Sequence, residues 1–313
     1  MKRISILVPV YNEEGNLLDT CNTLKQLMEG LKDRYDYEII FTDNHSNDKT
    51  FEILENIAKK DLRIKVARFS KNFGYERSIY TGYILSSGDA VVQIDCDLQD
   101  PPEKIPEFIK KWEEGFAVVY GVRKKRQETW VLNLTRKIFY RLLNFLSEDN
   151  LPKDAGEFRL VDKKIVDEMR KLYDYYPYVR GLIASFGFEQ VGIPYDRGER
   201  KKGVSKFRFY NLVDLAIDGI VNHSIAPLRL TSYVSFIVFI GAFCFLLVYA
   251  IGRGFFHQDW PRGFATIVTL ILFFLGLNML FLGIIGEYLG RIYQQVKRYP
   301  ISIIEKSLNF TEK

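Results

Sequence analysis

The chain has 313 residues, 47% of them hydrophobic and 27% charged, a balance that excludes a disordered tail, a collagen-like chain and a low-complexity chain. Three cysteines, Cys21, Cys96 and Cys244, are too few and too scattered for a disulfide framework or a zinc cluster. The net charge of +5 is concentrated, since residues 197–208 hold six basic side chains against one acidic; such a local cluster suits phosphate, nucleic acid or anionic lipid.

The first part of the chain alternates strand and helix. Residues 4–11, ISILVPVY, form a continuous apolar run with β-branched members, which predicts a buried parallel strand and no signal peptide. Helical spacing follows over 13–33. Further strands are predicted at 37–43, 64–69, 90–95 and 117–122, with helices at 48–60, 75–86 and from Pro101 to about Glu114, where proline fits the first turn. This rhythm predicts an α/β fold with an open, mostly parallel sheet covered on both faces, whose ligand sits at the carboxyl ends of the strands. Residues 130–147 read as an amphipathic helix, packed on the core or lying on a membrane surface.

Two charge-free runs end the chain: Ser232–Gly252, with 21 residues, and Phe264–Gly286, with 23. At 1.5 Å per residue each is roughly 31–35 Å long, enough to cross a hydrocarbon core. Basic residues crowd their outer flanks (the 197–208 cluster, Arg229, Arg291, Lys297, Arg298, Lys306). The positive-inside bias therefore predicts an inner-membrane hairpin with the first 225 residues and the C-terminus both cytoplasmic. That position beside a membrane argues against nucleic acid as the partner of the basic cluster.

The strand ends carry the chemistry. After the fourth strand, Asp95 and Asp97 stand one residue apart in DCDLQDPP. Two such carboxylates can share a hard cation with substrate phosphates, or form a solvated acidic turn. After the first strand come Pro9, Tyr11, Asn12 and Glu13. The aromatic can stack on a base and the acid can accept from base or ribose donors; equally, Asn12 and the acids can cap the next helix. After the second strand, Asp43 opens DNHSND, either a base acceptor or one end of an Asx-rich turn. His45 reads as a loop residue.

VPVYNEE, TDNHSNDKT, QIDCDLQDPPE, GVR (121–123) and DAGEFRL (154–160), in that order, resemble the family 2 glycosyltransferases. Within them the chain is similar to the polyprenyl-phosphate group, which includes dolichyl-phosphate mannose synthases and bactoprenol glucosyltransferases. The resemblance covers roughly residues 4–207, and the trailing pair of apolar runs fits the bacterial members. It implies a GT-A catalytic domain over 1–207, a juxtamembrane amphipathic helix over 208–227, a two-helix transmembrane hairpin over 228–290 and a cytoplasmic tail over 291–313. It further implies Mg²⁺ or Mn²⁺, inversion at the anomeric carbon, and a homo-oligomer such as a tetramer.

Carried over by position, the resemblance places Pro9, Tyr11, Glu13 and Asp43 around the donor nucleotide, and Asp95 on its ribose and diphosphate. Asp97, with Asp95 and Gln99, would hold the metal. Arg123 would face the leaving group. The sequence departs from many members at Asn44-His45, where they carry Asp-Gly. On the acceptor side, Asp154 matches the position of an acid that serves as general base for hydroxyl acceptors, although a lipid phosphate is already anionic at pH 7. Arg159 would pair with Asp154 or with phosphate. Arg200, Ser205 and Lys206 match an R-x-x-G-x-S-K element suited to phosphate. The expected reaction transfers one sugar from a nucleotide diphosphate sugar, UDP-linked by preference, to a polyprenyl phosphate such as undecaprenyl phosphate. The alternatives are a processive polysaccharide synthase, to which Gln295-Val-Lys-Arg298-Tyr299 is a near miss, and an inactive membrane scaffold, which the intact Asp95/Asp97 pair opposes.

Overall fold

The computed structural model describes residues 1–123, 155–198 and 263–310, with scattered positions between 228 and 251. An eight-stranded sheet organises them in the order β7-β5-β6-β4-β1-β2-β3-β8. The strands are β1 (Lys2–Val10), β2 (Tyr35–Asp43), β3 (Ile64–Phe69), β4 (Ala90–Gln93), β5 (Val118–Arg123), β6 (Ala155–Asp162), β7 (Gln190–Tyr195) and β8 (Ile304–Leu308). The central block β4-β1-β2-β3 is parallel throughout. Antiparallel β6 joins it to the parallel pair β5 and β7.

Period-two alternation sorts the strand side chains to two faces. Ile4, Ile6, Val8 and Val10 of β1 point into one core. That core is roofed by α1 (Leu17–Glu29), α2 (Thr50–Ala58) and α4 (Ile105–Glu113) through Leu24, Met28, Leu54, Phe108 and Trp112. Leu7 points the other way, toward α3 (Tyr75–Leu85), α5 (Lys163–Lys171) and α6 (Val179–Ser185). On that face β1 and β2 bury one polar pair: Ser5 Oγ donates to Glu38 at 2.5 Å, and Lys65 Nζ lies 2.6 Å from the same carboxylate. A buried acid is tolerated here because its hydrogen bonds hold it ionised against the burial penalty.

Within residues 1–123 the predicted strands and helices recur, most with shifted ends. Helix α1 begins at Leu17, not residue 13, because Glu13 carbonyl oxygen accepts from Asn16 and Leu17 in a turn that precedes it. DAGEFRL, read in the sequence as an acceptor motif, is strand β6 from Ala155 on. The segment 291–313, read as a tail, supplies the end of helix α7 (Phe264–Lys297) and then β8, which pairs antiparallel with β3 and closes that edge of the sheet.

Helix α7 contains the one candidate membrane span among the described residues, Phe273–Lys297, with mean hydropathy 1.6. Its apolar side chains, among them Ile271, Phe273, Met279 and Leu282, lie exposed. Its last turns dock on the domain. Tyr176 Oη donates to Gln294 at 2.7 Å, Tyr175 N donates to Gln295 Oε1 at 2.9 Å, and Gln295 Nε2 donates to Tyr173 carbonyl oxygen. The first predicted span, 232–252, falls mostly outside the described residues, as do the 130–147 helix and the 208–227 helix.

Candidate functional site

The strand order reverses at β1: the chain proceeds outward through β2 and β3, then crosses back to β4 on the other side. Such a switch point opens a crevice at the carboxyl ends of the flanking strands. Tyr11, Asp43 and Asp95 follow or end β1, β2 and β4, so the topology alone brings these sequence-predicted residues to one edge.

Two loops there are zipped together by side-chain to backbone bonds. Asn12 N donates to Ser46 Oγ at 2.9 Å, Asn47 N to Asn12 Oδ1 at 2.8 Å, and Glu13 N to Thr50 Oγ1 at 2.8 Å. Asn12 sits at φ 55°, a left-handed conformation that asparagine tolerates better than most residues. Glu13 accepts from Asn16 Nδ2 at 2.7 Å, within the turn that precedes α1. The Asx-rich turn expected after β2 is realised and coexists with an unsatisfied acceptor, whereas Asn12 does not cap α1: the N-cap is Asn16, without a side-chain cap bond, and the acid in the first turn is Asp19. Asp43 Oδ1 takes Ser46 N at 3.0 Å, while Asp43 Oδ2 is buried with no hydrogen-bond donor, its nearest cation being Arg68 at 3.8 Å. Burial pushes the Asp43 carboxyl above its ordinary range.

Asn44 and His45 show how the departure from the usual Asp-Gly is accommodated. Asn44 Oδ1 accepts from Phe73 N at 2.8 Å and its Nδ2 donates to Asn72 Oδ1 at 2.8 Å, which ties the β2 end to the entry of α3. His45 adopts φ 62°, the region glycine enters freely, with Nδ1 2.9 Å from Phe69 carbonyl oxygen.

After β4, Asp95 accepts from Tyr75 Oη at 2.6 Å, and Asp97 Oδ1 accepts from Gln99 N at 3.1 Å. Burial lifts Asp95 to about 7; the Tyr75 bond opposes this, while Asp100, Asp97 and Glu157 add to it. Gln99 is engaged through its backbone, its carbonyl oxygen accepting from Gly198 N at 2.8 Å. Tyr75 was not legible as a site residue, because its place at the start of α3 carries no motif.

Arg123, at the end of β5, points toward Asp100 rather than standing alone. Its Nη2 lies 3.5 Å from Asp100 Oδ1, and its Nε donates to Tyr195 Oη at 3.2 Å. Tyr195 in turn donates to Asp100 at 2.5 Å, and Arg197 Nε lies 3.7 Å away. Arg159, expected to meet Asp154 or phosphate, is 3% exposed and donates to Gly156 carbonyl oxygen and Glu157, both at 3.1 Å. The sequence reading passed over Glu157, although it stands in the same motif. It also accepts from Arg180, and the two guanidiniums hold its carboxyl well below the ordinary range despite burial. Glu76, nearby on α3, moves the opposite way: burial and the Glu157 charge push it up, against the bond from Val179 N at 3.0 Å. Asp154, Arg200, Ser205 and Lys206 lie outside the described residues.

Residues 5–170 match the family described as Glycosyl transferase family 2. An uncharacterized glycosyltransferase of Bacillus subtilis, YkcC, is 40% identical over 99% of this chain and 95% of its own length. The SfII prophage-derived bactoprenol glucosyl transferase of Shigella flexneri is 35% identical over 97% of this chain and 98% of its own. Among solved structures, the glucosyl-3-phosphoglycerate synthase of Mycobacterium tuberculosis in complex with Mg²⁺ and UDP aligns with 70% of this chain and 77% of its own, at 21% identity and a TM-score of 0.47.

Proposed function

This chain belongs to glycosyl transferase family 2, and from that premise we propose that it moves one sugar from a nucleotide diphosphate sugar, a UDP-sugar, to a polyprenyl phosphate at the cytoplasmic membrane face, with inversion. The observation that supports the reading is that Tyr11, Asp43 and Asp95 follow or end β1, β2 and β4, the neighbouring strands at the sheet's switch point. Tyr11 offers a ring for the base and Asp43 Oδ2 an open acceptor for a base N–H. The name of the Shigella relative supports a bactoprenol-type acceptor, and α7 supports a membrane address.

The donor set fits a divalent cation, Mg²⁺ or Mn²⁺. Asp95 and Asp97 share one loop, and Asp95 carries the mutual repulsion of neighbouring carboxylates, which a cation relieves. Among the described residues no three His, Cys, Asp or Glu side chains form a cage for a metal. Mg²⁺ itself commonly takes one or two protein carboxylates and completes its shell with phosphates and water. When bound, the cation neutralises charge on the departing diphosphate.

The chain's own residues orient the reactants. Arg123, held by Asp100 and Tyr195, keeps a guanidinium at the crevice for the leaving group. A lipid phosphate oxygen forms the new bond to the anomeric carbon from the face opposite the diphosphate. The old carbon–oxygen bond breaks and its electron pair leaves with the nucleoside diphosphate. No proton need be removed from the nucleophile, since a phosphate monoester with a second pKa of about 6 is anionic at neutral pH.

The test is transfer of radiolabelled sugar from a panel of nucleotide sugars to undecaprenyl phosphate with Mg²⁺ or Mn²⁺. One donor should give lipid-extractable label, and Asp97→Asn should reduce it by ~100-fold or more. Hydrolysis of a donor without labelled lipid would remove the acceptor from this reading and leave the donor.

A further inference from the structure

We propose that the C-terminal strand β8 is part of the donor site: Glu305 draws the Arg68 guanidinium away from Asp43 and so keeps Asp43 Oδ2 open for the nucleotide base. The proposal rests on the donor reading above and adds to it a positioning residue from the far end of the chain.

The sheet register places Glu305 where a side chain is re-aimed. Lys306 pairs with Arg68 and Ile304 with Phe69, so β8 spends two steps where β3 spends one, and Glu305 is the extra residue. Bulges of this kind turn a side chain out of the regular alternation. Here Glu305 Oε2 comes to 3.6 Å from Arg68 Nε. The same guanidinium has its Nη1 at 3.8 Å from Asp43 Oδ2 and its Nη2 at 3.5 Å from Ser46 carbonyl oxygen. It is stacked over the Phe51 ring at 4.4 Å, so its plane is fixed while its charge is shared between two carboxylates. Glu305 also approaches His45 Nδ1 at 3.8 Å, which brings the strand to both sides of the β2 end.

The strand is held firmly enough to serve this role. Ser70 N donates to Ile303 carbonyl oxygen at 2.9 Å, and Ser302 Oγ lies 2.8 Å from Thr81 Oγ1. Asn309 Nδ2 donates to the carbonyl oxygens of Ala58 and Ile64, both at 2.8 Å. Without the Glu305 charge, Arg68 has Asp43 as its remaining carboxylate partner. A closure of under 1 Å then brings it into hydrogen-bond range of Oδ2 and occupies the acceptor that the base requires.

The experiment measures binding of UDP and the KM for the donor in the full-length, detergent-solubilised protein, comparing wild type, Glu305→Gln, Arg68→Met and the double variant. Glu305→Gln should raise both the dissociation constant and the KM by about three- to tenfold with kcat unchanged, the scale of a partly exposed charge pair. In the Arg68→Met background the same change should have no effect, which a purely structural role for Glu305 would not produce. Ser302→Ala, which loosens the strand's anchor without touching Arg68, should match wild type. An unchanged UDP affinity in Glu305→Gln, with wild type binding normally, overturns the role of the strand alone. Failure of wild type to bind any nucleoside diphosphate overturns the donor reading, and this proposal with it.

Discussion

At the scale of single residues, two electrostatically coupled, half-buried carboxyls are driven in opposite directions by their neighbours. Glu157 is ionised because Arg180 and Arg159 flank it; Glu76 resists ionisation because desolvation and the Glu157 charge both disfavour its anion. The sign for stability follows from which state holds the proton. A carboxyl raised in the folded protein keeps a proton that the unfolded chain has released, so its effect is a loss of stability as pH rises from the ordinary carboxyl range toward neutrality. Glu157 behaves conversely, contributing stability that is present above its unfolded pKa and lost only in strong acid. Glu76→Gln should therefore match wild type at pH 5 and exceed it by on the order of 1 kcal/mol at pH 8 in thermal denaturation; equal stability at both values would show that Glu76 ionises normally. Tyr75→Phe removes the donor to Asp95 and should lower kcat/KM by about tenfold, the cost of one hydrogen bond to a charged group, with an unchanged melting temperature.

At the scale of elements, helix α3 lies directly on β1 because Gly82 has no side chain. A Cβ there would stand 2.1 Å from Leu7 Cδ1 and 2.9 Å from its Cδ2, so the fully buried Leu7 side chain would have to shift. Gly82→Ala should destabilise the protein by about 1–2 kcal/mol in urea denaturation, overpacking outweighing the gain in helix propensity. The elements that sequence made legible are those with strong periodicity. Strand β3 occupies the predicted 64–69, and the buried runs of β1 and β2 lie within a few residues of expectation. What escaped had a competing signal. The residues of β6 were read as a motif, and β8, IEKSL, is short, polar and mostly exposed, as an edge strand paired on one side can be. The site was legible where residues sit at strand ends, as with Tyr11, Asp43 and Asp95. It was illegible where side chains reach it from helices or from remote sequence, as with Tyr75 and Glu305. No local pattern encodes the packing that delivers them.

At the scale of the whole molecule, β8 constrains how the chain can cross a membrane. The chain leaves the catalytic sheet after β7 and re-enters it at β8, with α7 ending against residues 173–176 just before. If α7 spans the bilayer, its N-terminal end lies on the far side, so the segment between β7 and α7 must cross once as well. The charge-free run 232–252 is the stretch there with the length and composition to do so. Both termini then share one face and the connector 253–263 occupies the other. In a variant lacking native cysteines, a single cysteine placed at Gln258 should react with a membrane-impermeant maleimide added outside intact cells. One placed at Asn309 or Lys2 should react only after the membrane is opened. Labelling of Gln258 and Asn309 from the same side would mean that α7 lies along the membrane or packs against another protein surface. Removing residues 303–313 tests the same closure from within: it uncovers the β3 edge and strips Arg68 of Glu305. The truncated protein should melt ~5 °C or more lower and self-associate through the exposed strand, and its donor KM should rise at least as far as that of Glu305→Gln.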